Sequence, residues 1–113
     1  MEVINLSNRK EVEVNINGTE CVVSLAVKNI NHFQENNKIG LQKALKKMKK
    51  GDLSTILKLI YSMVSDKKTG KVLGYKFFKD FDEMEIMKAL QPVLMKLLNE
   101  DMPKAKNEAE KKQ

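Results

Sequence analysis

The segment that decides the fold is Asp52-Leu53-Ser54-Thr55-Ile56-Leu57-Lys58-Leu59-Ile60-Tyr61-Ser62-Met63-Val64-Ser65. Its apolar residues recur at the spacing of one helical face, at Leu53, Ile56, Leu57, Ile60, Met63 and Val64. Gly51 interrupts the preceding segment, and the Asp52 carboxylate can accept a hydrogen bond from a free N–H of the first turn. The pattern therefore predicts a central helix onto which the rest of the chain packs.

A β-hairpin is predicted ahead of this helix. Apolar and polar residues alternate over residues 11–16, which is the pattern of a half-buried strand. Asn17-Gly18 favours a type I′ turn because both residues tolerate positive φ, and residues 19–24 return as the second strand. Two strands alone are marginally stable in water. We therefore expect the hairpin to pack on helices or to pair further, and residues 1–6 to form either an edge strand or a mobile arm.

Further helices are predicted on both sides of the central one. The first is expected to begin with Ser24 as its cap, to bury Val27, Ile30 and Phe33, and to place Asn29 mainly off this face, on its polar side. The second has its apolar face at Leu41, Ala44, Leu45 and Met48, and Gly51 can supply a left-handed cap after it. Residues 71–79 are expected to be irregular, with at most a short strand or helical turn.

The last predicted helix spans residues 82–98. Its acidic start suits the positive end of the helix dipole, and Asp82 with Glu85 resembles a capping box. Pro92 lies inside the apolar pattern and is expected to kink or divide the helix. The predicted fold class is thus α+β, with an N-terminal hairpin, or three strands, on three to four helices. We expect one domain over residues 1–102 and a charged, disordered tail over residues 103–113.

The residue chemistry predicts no enzyme, cofactor or metal. The five glycines are scattered, so no phosphate-binding loop is apparent, and a single His32 and a single Cys21 cannot form a metal-ligand set. His32 is expected at the surface, and Cys21 as a small buried apolar residue. No apolar run approaches the roughly 18 residues of a membrane span. Without such a run or a secretory signal, we expect a cytoplasmic protein with no membrane partner.

The formal net charge of +6 is concentrated in the middle of the chain. Five lysines lie opposite the apolar face of the second helix, at Lys43, Lys46, Lys47, Lys49 and Lys50. They form either a solvated face or an electrostatic patch for an acidic partner or a phosphate backbone. Arg9 is the only arginine. Because nucleic-acid readers usually rely on arginine for bidentate contacts, we do not expect nucleic acid as the main partner.

Four segments carry a resemblance to a known family. They are the hairpin Val14-Asn15-Ile16-Asn17-Gly18-Thr19-Glu20-Cys21-Val22-Val23, the amphipathic start Leu25-Ala26-Val27-Lys28-Asn29-Ile30, the helix Gly51-Asp52-Leu53-Ser54-Thr55-Ile56-Leu57-Lys58-Leu59-Ile60-Tyr61-Ser62-Met63, and the acidic-capped residues 82–98. In pattern and length, residues 11–102 resemble the tail assembly chaperones of long-tailed phages and prophages of Gram-positive bacteria.

The resemblance implies a small protein of the host bacterial cytoplasm that takes part in viral assembly and is absent from the mature virion. It implies binding to the tape measure protein, which is thereby kept soluble, and recruitment of tail tube protein; self-association is compatible with it. Methionine suits an adaptable groove for such a helical client. The candidate partner-binding residues are Met48, Met63, Met84, Met87 and Met95. Two other interpretations stay open: a basic nucleic-acid-binding accessory protein, and a structural tail-completion or connector protein.

Overall fold

Three antiparallel strands and five helices make up residues 1–101, which are the residues that the computed structural model describes. In chain order they are β1 (Glu11–Ile16), β2 (Thr19–Ser24), α1 (Val27–Asn37), α2 (Leu41–Lys49), α3 (Leu53–Met63), β3 (Val64–Asp66), α4 (Gly74–Phe78) and α5 (Glu83–Asp101). The predicted α+β class is confirmed. The helix count exceeds the prediction because the irregular segment after β3 contains the short α4.

The predicted hairpin is confirmed at both strands and at the turn. β1 and β2 pair from Glu11 with Ser24 to Ile16 with Thr19. Asn17 and Gly18 have φ of 50° and 95°, as a type I′ turn requires. The inner face of the hairpin buries Cys21, which is 0% exposed, as predicted. Burial raises the pKa of the Cys21 thiol, and the nearby charge of Asp66 raises it further, so the thiol stays neutral at physiological pH.

The third strand does not come from residues 1–6, so the edge-strand alternative for this segment is wrong. Residues 1–10 have no regular secondary structure. Instead β3 pairs antiparallel with β2, from Cys21 with Asp66 to Val23 with Val64, which gives the strand order β1-β2-β3. α3 was predicted to continue to Ser65 but ends at Met63, because the chain leaves the helix directly into β3. This pairing joins segments far apart in sequence, so a local pattern does not reveal it.

The start of α1 also differs from the prediction. Ser24 belongs to β2, and its Oγ accepts the N–H of Ala26 at 3.0 Å, so Ser24 lies ahead of the helix rather than capping it. Val27 is 72% exposed, whereas Asn29, predicted on the polar face, is 0% exposed. The buried face of α1 is therefore rotated toward Asn29 and Phe33. The core-facing position at residue 29 is therefore filled by a hydrogen-bonded asparagine and not by an apolar residue.

The central position of α3 is confirmed by its contacts with α1, α2, α4 and α5. The Asp52 carboxylate accepts the N–H of Thr55 at 3.2 Å, as predicted for its cap. Leu53, predicted on the buried face, is 53% exposed. The buried apolar residues of α3 are Ile56, Leu59, Ile60 and Met63. Gly51, between α2 and α3, has φ of 85°, which fits the left-handed cap that the sequence predicts.

α5 begins as predicted and continues further than expected. Asp82 Oδ1 accepts the N–H groups of Met84 at 2.8 Å and Glu85 at 3.2 Å. Pro92 lies inside one helix, so the division into two helices is wrong, whereas the alternative of a kink stays a prediction. The core face of α5 consists of Ile86, Met87, Leu90, Leu94, Leu97 and Leu98. The predicted disordered tail at residues 103–113 lies outside the described residues.

Candidate functional site

A groove lies over α3, between α1 on one side and α4 with the start of α5 on the other. We call it the helical groove. Its volume is about 370 Å³. It is lined by His32, Asn36, Asn37, Ser54, Leu57, Lys58, Tyr61, Ser62, Tyr75 and Glu83. Helices supply every one of these residues, so the groove offers side chains rather than free backbone groups.

The apolar part of the helical groove is formed by Leu57, Tyr61 and Tyr75. The two tyrosine rings meet edge to face, with centroids 5.7 Å apart. Tyr75 is 60% exposed, so it presents a large apolar surface to a partner. Burial raises the pKa of the Tyr61 phenol, and the charge of Glu83 raises it further. The phenol therefore stays protonated and can donate a hydrogen bond at the groove surface.

The α1 side of this groove rests on buried polar contacts with α3. His32 Nδ1 and Ser62 Oγ are 2.8 Å apart. Asn29 Nδ2 donates to the Ser62 carbonyl at 2.8 Å and to Ser65 Oγ at 3.1 Å. The Ser62 carbonyl belongs to the last turn of α3, where carbonyls lack helical partners, so Asn29 satisfies the end of the central helix.

The expectation that His32 lies free at the surface is wrong, because it is half-buried against Ser62. A signal was present in the sequence, because Asn29 and His32 are three residues apart. Such spacing places both side chains on one face of α1. Ser62 is 2% exposed, and its hydrogen bond with His32 joins α3 to α1.

A second groove lies between the hairpin and α5, and we call it the edge groove. Its volume is about 390 Å³. Its residues are Val14, Asn15, Ile16, Asn17, Phe78, Phe81, Asp82, Glu85, Ile86, Ala89 and Leu90. Phe78 and Phe81 belong to an aromatic cluster in which Phe77 meets both rings nearly at right angles. Unlike the helical groove, this one has a β-strand along one side.

The five candidate partner-binding methionines do not form one surface. Met48, Met63 and Met87 are 8%, 0% and 6% exposed and pack in the core. Met84 and Met95 are 54% and 37% exposed. They are eleven residues apart on α5, close to three turns, and so share a face. None of the five lines either groove, and their role in partner binding stays a prediction.

The five lysines of the predicted patch are all exposed. Lys43, Lys46, Lys47 and Lys50 follow the spacing of a single helical face, with Lys49 beside it. The three in the last turn of α2 also interact favourably with the negative end of its dipole. The structure thus brings these lysines together on the side of α2 opposite the buried Leu41, Ala44 and Met48.

Two further findings concern residues 1–101. No group of three or more His, Cys, Asp or Glu side chains in this range could hold a metal ion. None of the described helices is long and apolar enough to cross a membrane. Comparison with protein-family models finds no match, and neither the curated proteins nor the solved structures include a significant match. The grooves and the exposed faces are therefore the basis for inferring function.

Proposed function

We propose that this protein is a non-catalytic phage tail assembly chaperone. It binds the tape measure protein, keeps it soluble in the host cytoplasm, helps recruit tail tube subunits and is absent from the mature virion. The observation that supports this proposal is the helical groove, an open groove in which Leu57, Tyr61 and Tyr75 lie among polar and charged side chains. The client expected from the family resemblance is a long, amphipathic helical chain, and such a helix binds by laying its apolar face into a groove of this kind.

The chemistry of the groove suits such a client. Leu57, Tyr61 and Tyr75 offer an apolar surface to side chains recurring at i, i+3 and i+4. Lys58 and Glu83 are exposed lining residues with opposite charges, so they can pair with charges along the polar flanks of a helix. Tyrosine is also enriched among the residues that dominate binding energy at interfaces. Tyr75, the most exposed of the three, is the residue on which client affinity should depend most.

Co-expression with the tape measure protein from the same genome tests the proposal. The chaperone carries an affinity tag, and retained client is measured after washes at low and high salt. We expect retention at high salt and a larger soluble fraction of client, because apolar contacts are not screened by salt. Tyr75→Asp should remove most of the retained client. Val27→Asp is the matched control, because Val27 is also an exposed apolar residue but lies outside the groove.

Circular dichroism of both variants verifies that the fold persists. Equal retention of client by Tyr75→Asp and by the wild type would contradict binding in the helical groove. Met84→Lys combined with Met95→Lys tests whether the exposed methionines of α5 contribute to binding as well. Met87 is unsuitable for this test because a lysine there would be introduced into the core.

A nucleic-acid-binding role is the second candidate, and the exposed lysine face of α2 is the observation that favours it. Binding through this face would depend steeply on salt, because each neutralised phosphate releases counterions. The test is titration of labelled duplex and single-stranded DNA at two salt concentrations. Lys43→Glu with Lys47→Glu should abolish binding if this candidate is correct. Salt-resistant client capture by the same double variant would favour the chaperone proposal.

A further inference from the structure

The segment of residues 1–6, which we call the arm, exposes apolar side chains that the rest of residues 1–101 leaves uncovered. Val3, Ile4 and Leu6 are 80%, 73% and 87% exposed, and Met1 is exposed as well. The arm has no helix or strand of its own. Large apolar side chains grouped on an exposed segment usually mark an interaction site. The arm thus has the composition of a strand but has no strand beside it.

The same chain has a vacant place for a strand. β1 pairs with β2 on one side only, and its other edge is the free edge of the sheet. α5 contacts β2, whereas β1 extends over the edge groove. Val12, Val14 and Ile16 therefore stay half-buried, although they belong to the inner face of the hairpin. An added strand beside β1 would cover these side chains and fill the groove.

We propose that the arm of one copy adds to the free edge of β1 in a second copy and fills its edge groove. An extended segment next to an edge strand gains main-chain hydrogen bonds, and alternate side chains enter the pockets beneath it. Ile4 and Leu6 lie on one side of an extended arm and would enter the groove together. Residues 7–10 would join this added strand to the β1 of its own copy.

Charge complementarity supports the same occupant. The acidic side chains at the edge groove are Asp82 and Glu85, and no cation lines it. Glu2 is the one charged side chain of the arm, whereas the linker of residues 7–10 carries Arg9 and Lys10. An incoming arm would therefore bring its positively charged linker to the acidic rim. The attraction would guide the arm to its place and disfavour the reverse orientation.

A second copy is a better occupant than the arm of the same chain. In the structure the arm does not pair with its own β1, although only residues 7–10 separate them. Each copy carries both an arm and an acceptor edge. Reciprocal exchange in a two-fold dimer would pair both arms and both β1 edges at once.

The test is light scattering coupled to size-exclusion chromatography on the full chain over a hundredfold range of concentration. We expect the wild type to have twice the chain mass of 12.9 kDa at the upper end of the range. Ile4→Asp with Leu6→Asp removes the apolar contacts of the arm. Ala89→Arg fills the groove from an exposed helical position without changing the core. Each variant should weaken dimerisation at least tenfold.

Asn99→Arg is the matched control for Ala89→Arg, because it adds the same charge to an exposed position of α5 outside the groove. It should dimerise like the wild type. Mixing the arm variant with the groove variant leaves one intact arm and one intact groove. The mixture should therefore form a one-to-one dimer under conditions where each variant alone is a monomer.

Three results would overturn the proposal. The first is a wild type that keeps the monomer mass over the whole concentration range. The second is a dimer that persists unchanged in the arm variant or in the groove variant. The third is a monomeric wild type that needs the arm to retain the tape measure protein, because the arm would then contact the client instead of a second copy.

Discussion

The helical groove and the edge groove have similar volumes, about 370 and 390 Å³, but their walls differ. The helical groove is enclosed by helices whose backbone groups bond within each helix, and one wall rests on the polar contacts of Asn29 and His32. The edge groove lies below a strand with a free edge and is bordered by an aromatic cluster. The first groove can recognise a partner only through side chains, whereas the second also offers backbone hydrogen bonds. Volume alone therefore does not distinguish the two grooves, whereas the secondary structure of their walls does.

The two grooves share one supporting residue. Phe78 lines the edge groove, and its ring packs 5.3 Å from the ring of Tyr61 in the helical groove. It is 1% exposed. Substitution of the buried Phe78 should therefore affect both grooves. Substitution of an exposed lining residue should affect only the groove that this residue lines.

The largest effect is expected from Phe78→Ala. Removing this buried ring leaves a cavity between the grooves and should lower the free energy of unfolding by about 3–5 kcal/mol. Urea denaturation followed by circular dichroism measures the change. Tyr75→Ala, in the same short helix but at an exposed ring, is the control and should cost much less. Equal losses for the two variants would mean that Phe78 does not support the core between the grooves.

Asn29→Ala tests the polar wall that distinguishes the helical groove. The variant leaves the Ser62 carbonyl and the Ser65 hydroxyl without their buried donor. The expected loss in the free energy of unfolding is about 1–3 kcal/mol, which is the cost of unsatisfied buried polar groups. Denaturant titration measures this loss, with Asn31→Ala on the exposed side of α1 as control. An unchanged stability would show that another donor, such as water, replaces the amide.

Surface substitutions should separate the two grooves. Tyr75→Asp is expected to weaken client binding about tenfold, which is about 1.4 kcal/mol, and to leave dimerisation unchanged. Ala89→Arg is expected to weaken dimerisation and to leave client binding unchanged. Client binding is measured by titration calorimetry, and dimerisation by sedimentation equilibrium. If either variant weakens both activities while the fold is intact, the two grooves do not act independently.

The smallest effect concerns the His32–Ser62 hydrogen bond. A double-mutant cycle with His32→Ala and Ser62→Ala should give a coupling energy of about 0.5–1.5 kcal/mol, the usual net value for one such bond. Thermal and denaturant unfolding of the four proteins supply the data. If the losses of unfolding free energy in the two single variants add up to the loss in the double variant, the two side chains do not stabilise each other.

The sequence predicts best where the pattern and its cause are local. The hairpin follows from alternation and from Asn17-Gly18, and the starts of α3 and α5 follow from the side chains of Asp52 and Asp82. The buried position of Cys21 follows from its strand. In each case the residues involved are neighbours in the chain, so short-range geometry determines the result.

The sequence predicts less well where distant segments compete. Residues 1–6 have the composition of a strand, yet the third strand is Val64–Asp66, because α3 ends beside β2. Asn29 was placed on the polar face of α1, yet it is buried because the end of α3 supplies its hydrogen-bond partners. The helical groove itself combines residues from α1, α3, α4 and α5. The apolar periodicity of one segment therefore cannot predict where this groove lies.

By itself the sequence determined the α+β class, the hairpin, the central helix and the exposed lysine face, because patterns of burial and capping within single segments specify them. Only the tertiary structure decided which edge of the sheet stays open, which methionines are buried and where the two grooves lie. These properties depend on how helices are oriented around α3, and long-range hydrogen bonds such as that from Asn29 to Ser62 help to set that orientation. The physical reason is that a segment's own pattern identifies the face it must bury, whereas its partners decide what covers that face.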